Sequence, residues 1–424
     1  MRITPNNLYT TQFNKIREGR GWNTESSKEL KMHKIHVYPA KFPSFLISKS
    51  LEYAERNGIN VESMGDIFCG CGTTALEAKK NNKNFWGCDI NPVATLITKV
   101  KTEKYNDKTL VAYYDKIIDQ YSKKTFVLPK KIKTHERLKF WFVNSQIEKL
   151  YNLQRIIKST VPKGKYQNFF LVAFSNILKG SSKWLTKSIK PTIDKEKEVK
   201  DIKKLFRMQF TMMLKAASEF KSIITEDTTT TIVNNNFLNT RTNQPFLDLL
   251  ITSPPYVTSY EYADLHQLST LWLGYADDFR TLRNGTIGSI YHTDFSEEKI
   301  LLELNLVGQE IYNNLIKAKK SKAKSVAKYF IDIKNSVDKS YSIINPGGLA
   351  VFVIGNTKFK DVYVDNAKFI AECMFESGFN EIEVFKRKIS SKILSPYRNK
   401  DGKFSNDKRK RKIYSYEFVL IARK

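Results

Sequence analysis

A short strand that runs into a glycine-rich turn, a helix and a second strand constrains the fold of this 424-residue chain most strongly. Residues 63–78 carry the strand, the turn and the helix start, and residues 84–89 carry the second strand. Gly70 and Gly72 let the backbone pass close to a ligand, and a helix beginning at Thr73 offers free N–H groups to an anion. The pattern predicts a βαβ unit of an α/β fold.

Asp89 ends the second strand, about 20 residues after the glycines, where a carboxylate accepts hydrogen bonds from both hydroxyls of a ribose. The third glycine of the dinucleotide fingerprint is missing, and Thr73 and Thr74 stand in its place. A bound carboxylate suits this loop at least as well as a pyrophosphate. The unit therefore favours a cofactor that carries a nucleoside, and an ordinary glycine turn is the alternative.

Residues 249–256 form a second landmark, an apolar run that stops at Ser253-Pro254-Pro255-Tyr256. Two successive prolines cannot continue a sheet ladder, so the run predicts a buried strand followed by a rigid loop. Open α/β sheets place their chemistry at the carboxyl ends of strands. The loop offers a hydroxyl, a carbonyl and an aromatic face, which suit a flat ring with an amino group. A proline-rich strand exit without chemistry is the alternative.

The formal net charge of +28 predicts strong, salt-sensitive attraction to a polyanion, which we take to be nucleic acid. A lysine-rich background composition is the alternative explanation. No run approaches the ~20 apolar residues of a membrane-spanning helix, so we expect no membrane partner. The start of the chain has no apolar signal core, and the four cysteines fit neither a disulfide framework nor a zinc pair. We therefore expect a cytoplasmic, nucleoid-associated protein without a metal.

Residues 105–230 differ from the rest because they are helical in period and rich in lysine. Cations mixed with aromatic residues such as Phe140-Trp141-Phe142 and Trp184 suit a nucleic-acid face, whereas a packing insert with a solvated lysine surface is the alternative. We predict a cofactor-binding half over 1–104, this helical insertion as a target-recognition domain, and a catalytic half over 231–424. His266 is either a substrate contact on one helical face with Tyr262 or a satisfied structural histidine.

Together these landmarks resemble the amino-methylating DNA methyltransferases that use S-adenosylmethionine. Residues 66–74 resemble their cofactor loop, Asp89 their ribose-binding acid, and residues 253–256 their catalytic loop. Residues 38–43 resemble the motif that closes over the methionine end of the cofactor. The resemblance implies a doubly wound, mostly parallel, seven-stranded methyltransferase sheet with a closing antiparallel hairpin and a mainly helical inserted domain.

The resemblance also implies the residues of the site. Asn236 is included because Asn235-Asn236 stands nearest to a Gly-Asp pair whose acid usually faces the cofactor adenine. The cofactor-binding candidates are Tyr38, Pro39, Ala40, Lys41, Phe42, Asp66, Phe68, Gly70, Gly72, Thr73, Thr74, Asp89, Ile90 and Asn236. The catalytic candidates are Ser253, Pro254, Pro255 and Tyr256.

Serine at the first position of the catalytic loop is associated with the cytosine-N4 branch of this family, whereas adenine-N6 enzymes more often carry Asp or Asn. We expect Ser253 and the Pro254 carbonyl to accept the amino hydrogens of a base flipped out of duplex DNA and stacked on Tyr256. Ring-carbon methylation needs a cysteine nucleophile after a proline, and no cysteine here follows a proline. A cognate restriction endonuclease is a further expected partner. Adenine-N6 methylation, RNA methylation and an inactive DNA-binding fold are the alternatives.

Overall fold

The computed structural model describes most of the chain. The described residues are 1–23, 29–39, 41–225, 227–242, 244–257, 261–287, 296–359 and 362–389, together with 397–398, 404–405, 407, 411–412 and 415–424. Ala40, one of the predicted cofactor-binding residues, lies outside them.

The strands of the described residues are β1 (Arg2–Ile3), β2 (Ser63–Asp66), β3 (Asn84–Asp89), β4 (Thr230–Asn234), β5 (Leu247–Thr252), β6 (Ile344–Ile354), β7 (Thr357–Phe359), β8 (Val362–Val364), β9 (Ile382–Lys388), β10 (Tyr397–Arg398), β11 (Phe404–Ser405), β12 (Arg411–Lys412) and β13 (Tyr416–Arg423).

The α-helices are α1 (Pro5–Leu8), α2 (Ser44–Arg56), α3 (Thr73–Lys80), α4 (Pro92–Thr102), α5 (Asp107–Lys123), α6 (Lys130–Lys133), α7 (Glu136–Trp141), α8 (Asn144–Thr160), α9 (Lys165–Ile177), α10 (Ile202–Ile223), α11 (Tyr262–Leu265), α12 (Gln267–Leu273), α13 (Glu297–Glu303), α14 (Leu306–Ala318), α15 (Lys320–Ile343) and α16 (Asn366–Glu376). Short 3-10 turns cover Phe13–Lys15, Arg20–Trp22, Lys31–Lys34, Phe237–Asn239 and Phe279–Arg283.

A mixed sheet of the order β1-β9-β13-β6-β5-β2-β3-β4 forms the centre of the molecule. The five strands from β6 to β4 run parallel, and β13 and β9 add the antiparallel closing hairpin. This arrangement confirms the predicted α/β fold. An eighth strand that the sequence did not predict, β1, extends the sheet by pairing Ile3 with Ile382.

Helices cover both faces of the sheet, and the residues of β6 show why. Leu349, Val351 and Val353 pack in one hydrophobic cluster with α2 and α3. Ala350 and Phe352 point to the opposite cluster, which contains α14, α15 and α16. Successive strand side chains face opposite sides, so a strand that is apolar throughout must be buried on both. The continuous apolar run of β6 therefore predicts a doubly wound sheet.

The helices of residues 105–230 do not pack only among themselves. Their apolar faces share one hydrophobic cluster with residues of α4, such as Ile97, and of α12, such as Leu271. Trp141, Phe142 and Trp184 are buried in this cluster. Their burial favours the packing alternative for these three rings, whose apolar surfaces stabilise the helical packing, whereas Phe140 of the same run is 44% exposed. The exposed surface of the same segment is lysine-rich.

Within the described ranges, no helix combines the length and the apolar character needed to span a membrane. The described residues likewise contain no group of three or more His, Cys, Asp or Glu side chains placed to hold a metal ion.

Phe330 tests the packing of α15 on α16. Its ring is fully buried and stacks on Phe369 with 3.9 Å between ring centroids. We expect Phe330→Ala to lower the free energy of unfolding by about 3–5 kcal/mol, because it removes buried contacts and leaves a cavity. Leu302→Ala is the control, since Leu302 is 86% exposed. Urea denaturation of both variants measures the difference, and equal effects would contradict the packing described here.

Candidate active site

The glycine turn lies at the carboxyl end of β2, as predicted. Gly70 and Gly72 have φ angles of +49° and +74°, which favour glycine, and α3 begins at Thr73. A Cβ atom on Gly72 would lie 2.5 Å from the Thr98 side chain, so no larger residue fits there without rearrangement. The turn therefore combines a bare backbone with the N-terminus of a helix, which is a suitable cradle for an anionic group.

Asp89 closes the turn from the neighbouring strand β3. The Gly70 N–H donates a 2.8 Å hydrogen bond to one carboxylate oxygen, and the Asn91 N–H donates one of equal length to the other. Burial raises the pKa of the Asp89 carboxyl to about 6. Each oxygen keeps a second lone pair, so the carboxylate is able to accept further hydrogen bonds from a ligand.

The catalytic-loop candidates follow β5, which lies directly beside β2 in the sheet. Thr252, the last residue of β5, donates a 2.7 Å hydrogen bond to the Asp66 carboxylate. Thr74, in the first turn of α3, donates a 2.8 Å bond to the other oxygen of Asp66. One buried carboxylate therefore joins the two loops at the same edge of the sheet, although 186 residues separate Asp66 from Thr252 in sequence.

The Ser253 hydroxyl and the Pro254 carbonyl have no hydrogen-bond partner among the described residues, although Pro254 itself is buried. Ser253 is half-buried, and its hydroxyl makes no hydrogen bond to any described residue. Within the same described part of the chain, the Pro254 carbonyl oxygen accepts no hydrogen bond. Tyr256 differs, since its hydroxyl donates to Glu417 on β13. The loop thus presents two free acceptors beside an anchored ring.

The N-terminal motif reaches the glycine turn through Tyr38. A Cβ atom placed on Gly70 would lie 3.5 Å from the Tyr38 ring, and burial together with the nearby Asp89 raises the Tyr38 pKa well above its usual value. Lys41 instead forms an ion pair with Glu29 at 2.9 Å. Among the remaining candidates of this motif, Pro39 and Phe42 are half-buried.

His266 matches neither sequence interpretation fully. The turn between α11 and α12 falls at His266, so Tyr262 and His266 do not share one helical face. The imidazole is buried, stacks on Tyr38 at 4.8 Å, and has no hydrogen-bond partner for Nε2 among the described residues. Burial lowers its pKa to about 4, so the ring is neutral at physiological pH.

Ile90 and Asn236 lie beside Asp89 at the ends of β3 and β4. A Cβ atom on Gly285 would lie 3.2 Å from Ile90 Cδ1 and 3.7 Å from Asn236 Nδ2. The Asn236 amide donates a 3.0 Å hydrogen bond to the Gly285 carbonyl and accepts one of 2.9 Å from the Leu238 N–H. The structure therefore brings Asn236 to the predicted edge, while its amide is engaged within the protein.

All four cysteines are buried and unpaired. Burial raises the pKa of Cys69 well above its usual value and that of Cys88, on β3, to about 12. These two thiols stay protonated at neutral pH and are poor nucleophiles, because the thiolate is the reactive form. The site therefore offers hydrogen-bond acceptors and an aromatic ring, and it suits a direct transfer to a bound amine.

Sequence reasoning missed the partners that hold the candidate residues in place. The sequence assigns no individual role to Thr252, at the end of the apolar run, or to Glu417, near the end of the chain. Both act across the sheet, on Asp66 and Tyr256 respectively. The alternation of side-chain direction along β5 and β13 indicates which residues of a strand share a face of the sheet. It does not identify the distant residue that a given side chain contacts.

Asp66 makes the stability of the protein depend on pH. Burial raises its pKa to about 7, against donors that lower it, so the folded state binds the proton more tightly than the unfolded state. The preference of the folded state for protonated Asp66 stabilises the protein fully below about pH 4. This stabilisation is lost as the pH rises through about 7. Asp66→Asn should abolish this part of the dependence, on the order of 4 kcal/mol. Urea denaturation from pH 4 to 8 measures it, and parallel curves for both proteins would contradict the assignment.

Comparisons with known proteins agree with this geometry. A family model described as DNA methylase, of the N6/N4 type, matches residues 4–100. The chain is similar to the Type II methyltransferase M.MvaI of Kocuria varians, with 23% identity over 420 residues that cover 91% of this chain and 90% of the relative. It is also similar to M.BsoBI of Geobacillus stearothermophilus, at 22% identity over 85% of this chain and 81% of that relative.

A shorter match joins the chain to the Type II methyltransferase M.MjaII of Methanocaldococcus jannaschii, at 30% identity over 138 residues, or 27% of this chain and 25% of the relative. The two longer matches run across both landmark loops and the segment between them. Together, the family model and these relatives support a DNA amino-methyltransferase.

Proposed function

We propose that the protein methylates the exocyclic N4 amine of cytosine in duplex DNA, with S-adenosylmethionine as the methyl donor. The observation that carries this proposal is the pair of free acceptors, Ser253 Oγ and the Pro254 carbonyl, joined through Thr252 and Asp66 to the glycine turn. The acceptors suit an amino group, and the turn suits a cofactor with an anionic end. Because the Asp66 carboxylate contacts both segments, the proposed donor and acceptor sites would lie beside each other.

The residues of the turn fit S-adenosylmethionine. The Gly70 and Gly72 backbone with the helix N-terminus would hold the methionine end, closed by Tyr38, and Asp89 would accept the ribose hydroxyls. Asp66, Phe68, Thr73 and Thr74 shape the turn itself. When bound, the cofactor supplies an electrophilic methyl group on a sulfonium.

The catalytic loop would make the target amine nucleophilic. The nitrogen lone pair of an amino base is delocalised into the ring, which makes it a weak nucleophile. Hydrogen bonds from its two N–H groups to Ser253 Oγ and the Pro254 carbonyl favour a pyramidal nitrogen, which recovers the lone pair. Pro255 keeps the loop rigid, and the Tyr256 ring offers a stacking face for a flipped base. Positioning and electrostatics supply the rate enhancement.

The choice of cytosine rests on Ser253. Serine at this position resembles the cytosine-N4 branch, and a hydroxyl accepts one amino hydrogen while the adjacent carbonyl accepts the other. The names of the relatives specify a Type II methyltransferase and do not specify the base. We further propose that methylation protects DNA from a cognate restriction endonuclease in the cytoplasm.

We propose the helical segment over 105–230 as the target-recognition region. Its surface lysines and arginine are exposed, and they give the phosphate backbone an attractive face. The exposed cations include Lys130, Lys131, Lys133, Lys187, Lys195, Lys200, Lys203, Lys204 and Arg207. The segment packs on α4, whose start follows Asp89 closely, so a DNA duplex bound there lies near the cleft.

DNA methylated by the protein should yield N4-methylcytosine when digested to nucleosides. Mass spectrometry of DNA from expressing cells measures this, and the Asp89→Ala variant is the control for host enzymes. Methyl groups on adenine N6 alone would reject the choice of base and keep the enzyme class. Transfer of labelled methyl groups to tRNA or rRNA, and not to duplex DNA, would reject the choice of nucleic acid.

Ser253 and Asp89 form a matched pair of tests. Ser253→Ala should lower turnover on the order of 100-fold, as loss of a transition-state hydrogen bond does, with cofactor affinity near that of the native protein. Asp89→Ala should weaken cofactor binding first, because it removes the acceptor for the ribose hydroxyls. Calorimetry with S-adenosylmethionine and a methyl-transfer assay separate the two effects. Native affinity and turnover in both variants would refute the site.

A further inference from the structure

A network of side-chain hydrogen bonds and an ion pair connects the closing hairpin, β9 and β13, to Tyr256. Its hydroxyl donates to one carboxylate oxygen of Glu417 on β13, and Arg387 on β9 pairs with the other oxygen. The Arg387 Nε–H donates a 2.9 Å hydrogen bond to the Trp22 carbonyl, and its guanidinium lies 5.2 Å from the Phe45 ring centroid. The network therefore ties the catalytic loop after β5 to β13 and β9 on one side of the sheet order, and to Trp22 beyond them.

This network is buried, and a buried ion pair is unlike an exposed one because its charges lose their hydration. The side chains of Arg387 and Glu417 are 3% and 13% exposed. Burying an ion pair gives little net stability, since the loss of hydration offsets the attraction between the charges. In other proteins, replacing a buried ion pair by well-packed apolar residues is often neutral or stabilising. Stability alone therefore does not account for a charged pair that ends on a loop hydroxyl.

The geometry fixes the ring of Tyr256 from two sides. A Cβ atom on Gly355, at the end of β6, would lie 3.5 Å from the Tyr256 ring, so the ring lies against that backbone. The hydroxyl is anchored by Glu417, which sets the rotation of the side chain. Burial and the adjacent Glu417 raise the Tyr256 pKa well above its usual value, which keeps the hydroxyl a donor.

We propose that Glu417 and Arg387 are positioning residues that hold the Tyr256 ring in the orientation required to stack on the target base. The inference rests on the proposed function, because it assumes that a flipped base meets this ring. Arg387 orients Glu417, Glu417 orients Tyr256, and neither charged residue touches the base. Because the Tyr256 ring is already held in place, less conformational entropy is lost when the base binds.

A double-variant comparison tests the proposal with the full-length protein. Tyr256→Phe removes the hydroxyl and keeps the ring, and Glu417→Ala removes its acceptor. The measurements are kcat with saturating DNA and cofactor, cofactor affinity by calorimetry, and Tm. The matched control is Glu383→Ala on β9, because Glu383 also accepts a hydrogen bond from a tyrosine, Tyr53, at 2.5 Å.

Each single variant should lower kcat on the order of 10- to 100-fold, with cofactor affinity unchanged. The double variant should be no slower than the slower single variant, because both changes release the same ring. Glu383→Ala should keep native kcat. If Glu417→Ala does not fold, Glu417→Leu takes its place in the same comparison, because leucine fills similar space and offers no acceptor to the Tyr256 hydroxyl.

Native kcat in Glu417→Ala, or losses that multiply in the double variant, would overturn the proposal. If Glu417 only stabilised the fold, adding Glu417→Ala to Tyr256→Phe would lower both Tm and kcat further. We expect no further loss of kcat in this double variant. Failure of the proposed function looks different, because the native protein itself would then transfer no methyl group to DNA.

Discussion

A single buried carboxylate holds the site together. Asp66 ends β2, and it accepts one hydrogen bond from the helix that follows the glycine turn and another from the last residue of β5. The burial of this group is unfavourable for its charged form, which its raised pKa reflects. This unfavourable burial occurs at the point where two neighbouring parallel strands, β2 and β5, end. The relative placement of the two loops depends on it.

Much of this arrangement was predictable from the chain. The glycine turn, Asp89 and the Ser-Pro-Pro-Tyr loop each follow a strand, and parallel strands bring their carboxyl ends to one edge. The connections across the sheet were not predictable. Glu417 lies 161 residues from Tyr256, and a single side chain in a strand shows nothing of its distant partner. The structure also shows the Asn236 amide engaged with the Gly285 carbonyl, which no local pattern indicates.

In the helical segment over 105–230, amino-acid composition alone does not show which aromatic residues are buried and which are exposed. Aromatic residues among lysines are typical of a nucleic-acid face, yet Trp141 and Trp184 stack on each other at 4.9 Å inside the core. The same core extends to α4, which follows Asp89 in the chain, and to α12, which follows the Ser-Pro-Pro-Tyr loop. The charge stays on the outside, where it favours a polyanion through long-range attraction. The apolar and the basic signals of this segment therefore have separate physical causes.

The structure of a complex with duplex DNA and sinefungin, an unreactive analogue of the methyl donor, tests the central claim most directly. We predict the analogue against Gly70 and Asp89, an everted base on Tyr256, and an amino nitrogen held by Ser253 about 3–3.5 Å from the position of the transferable group. An analogue bound at this turn with the DNA base on another face of the sheet would contradict the claim that the two loops form one active site.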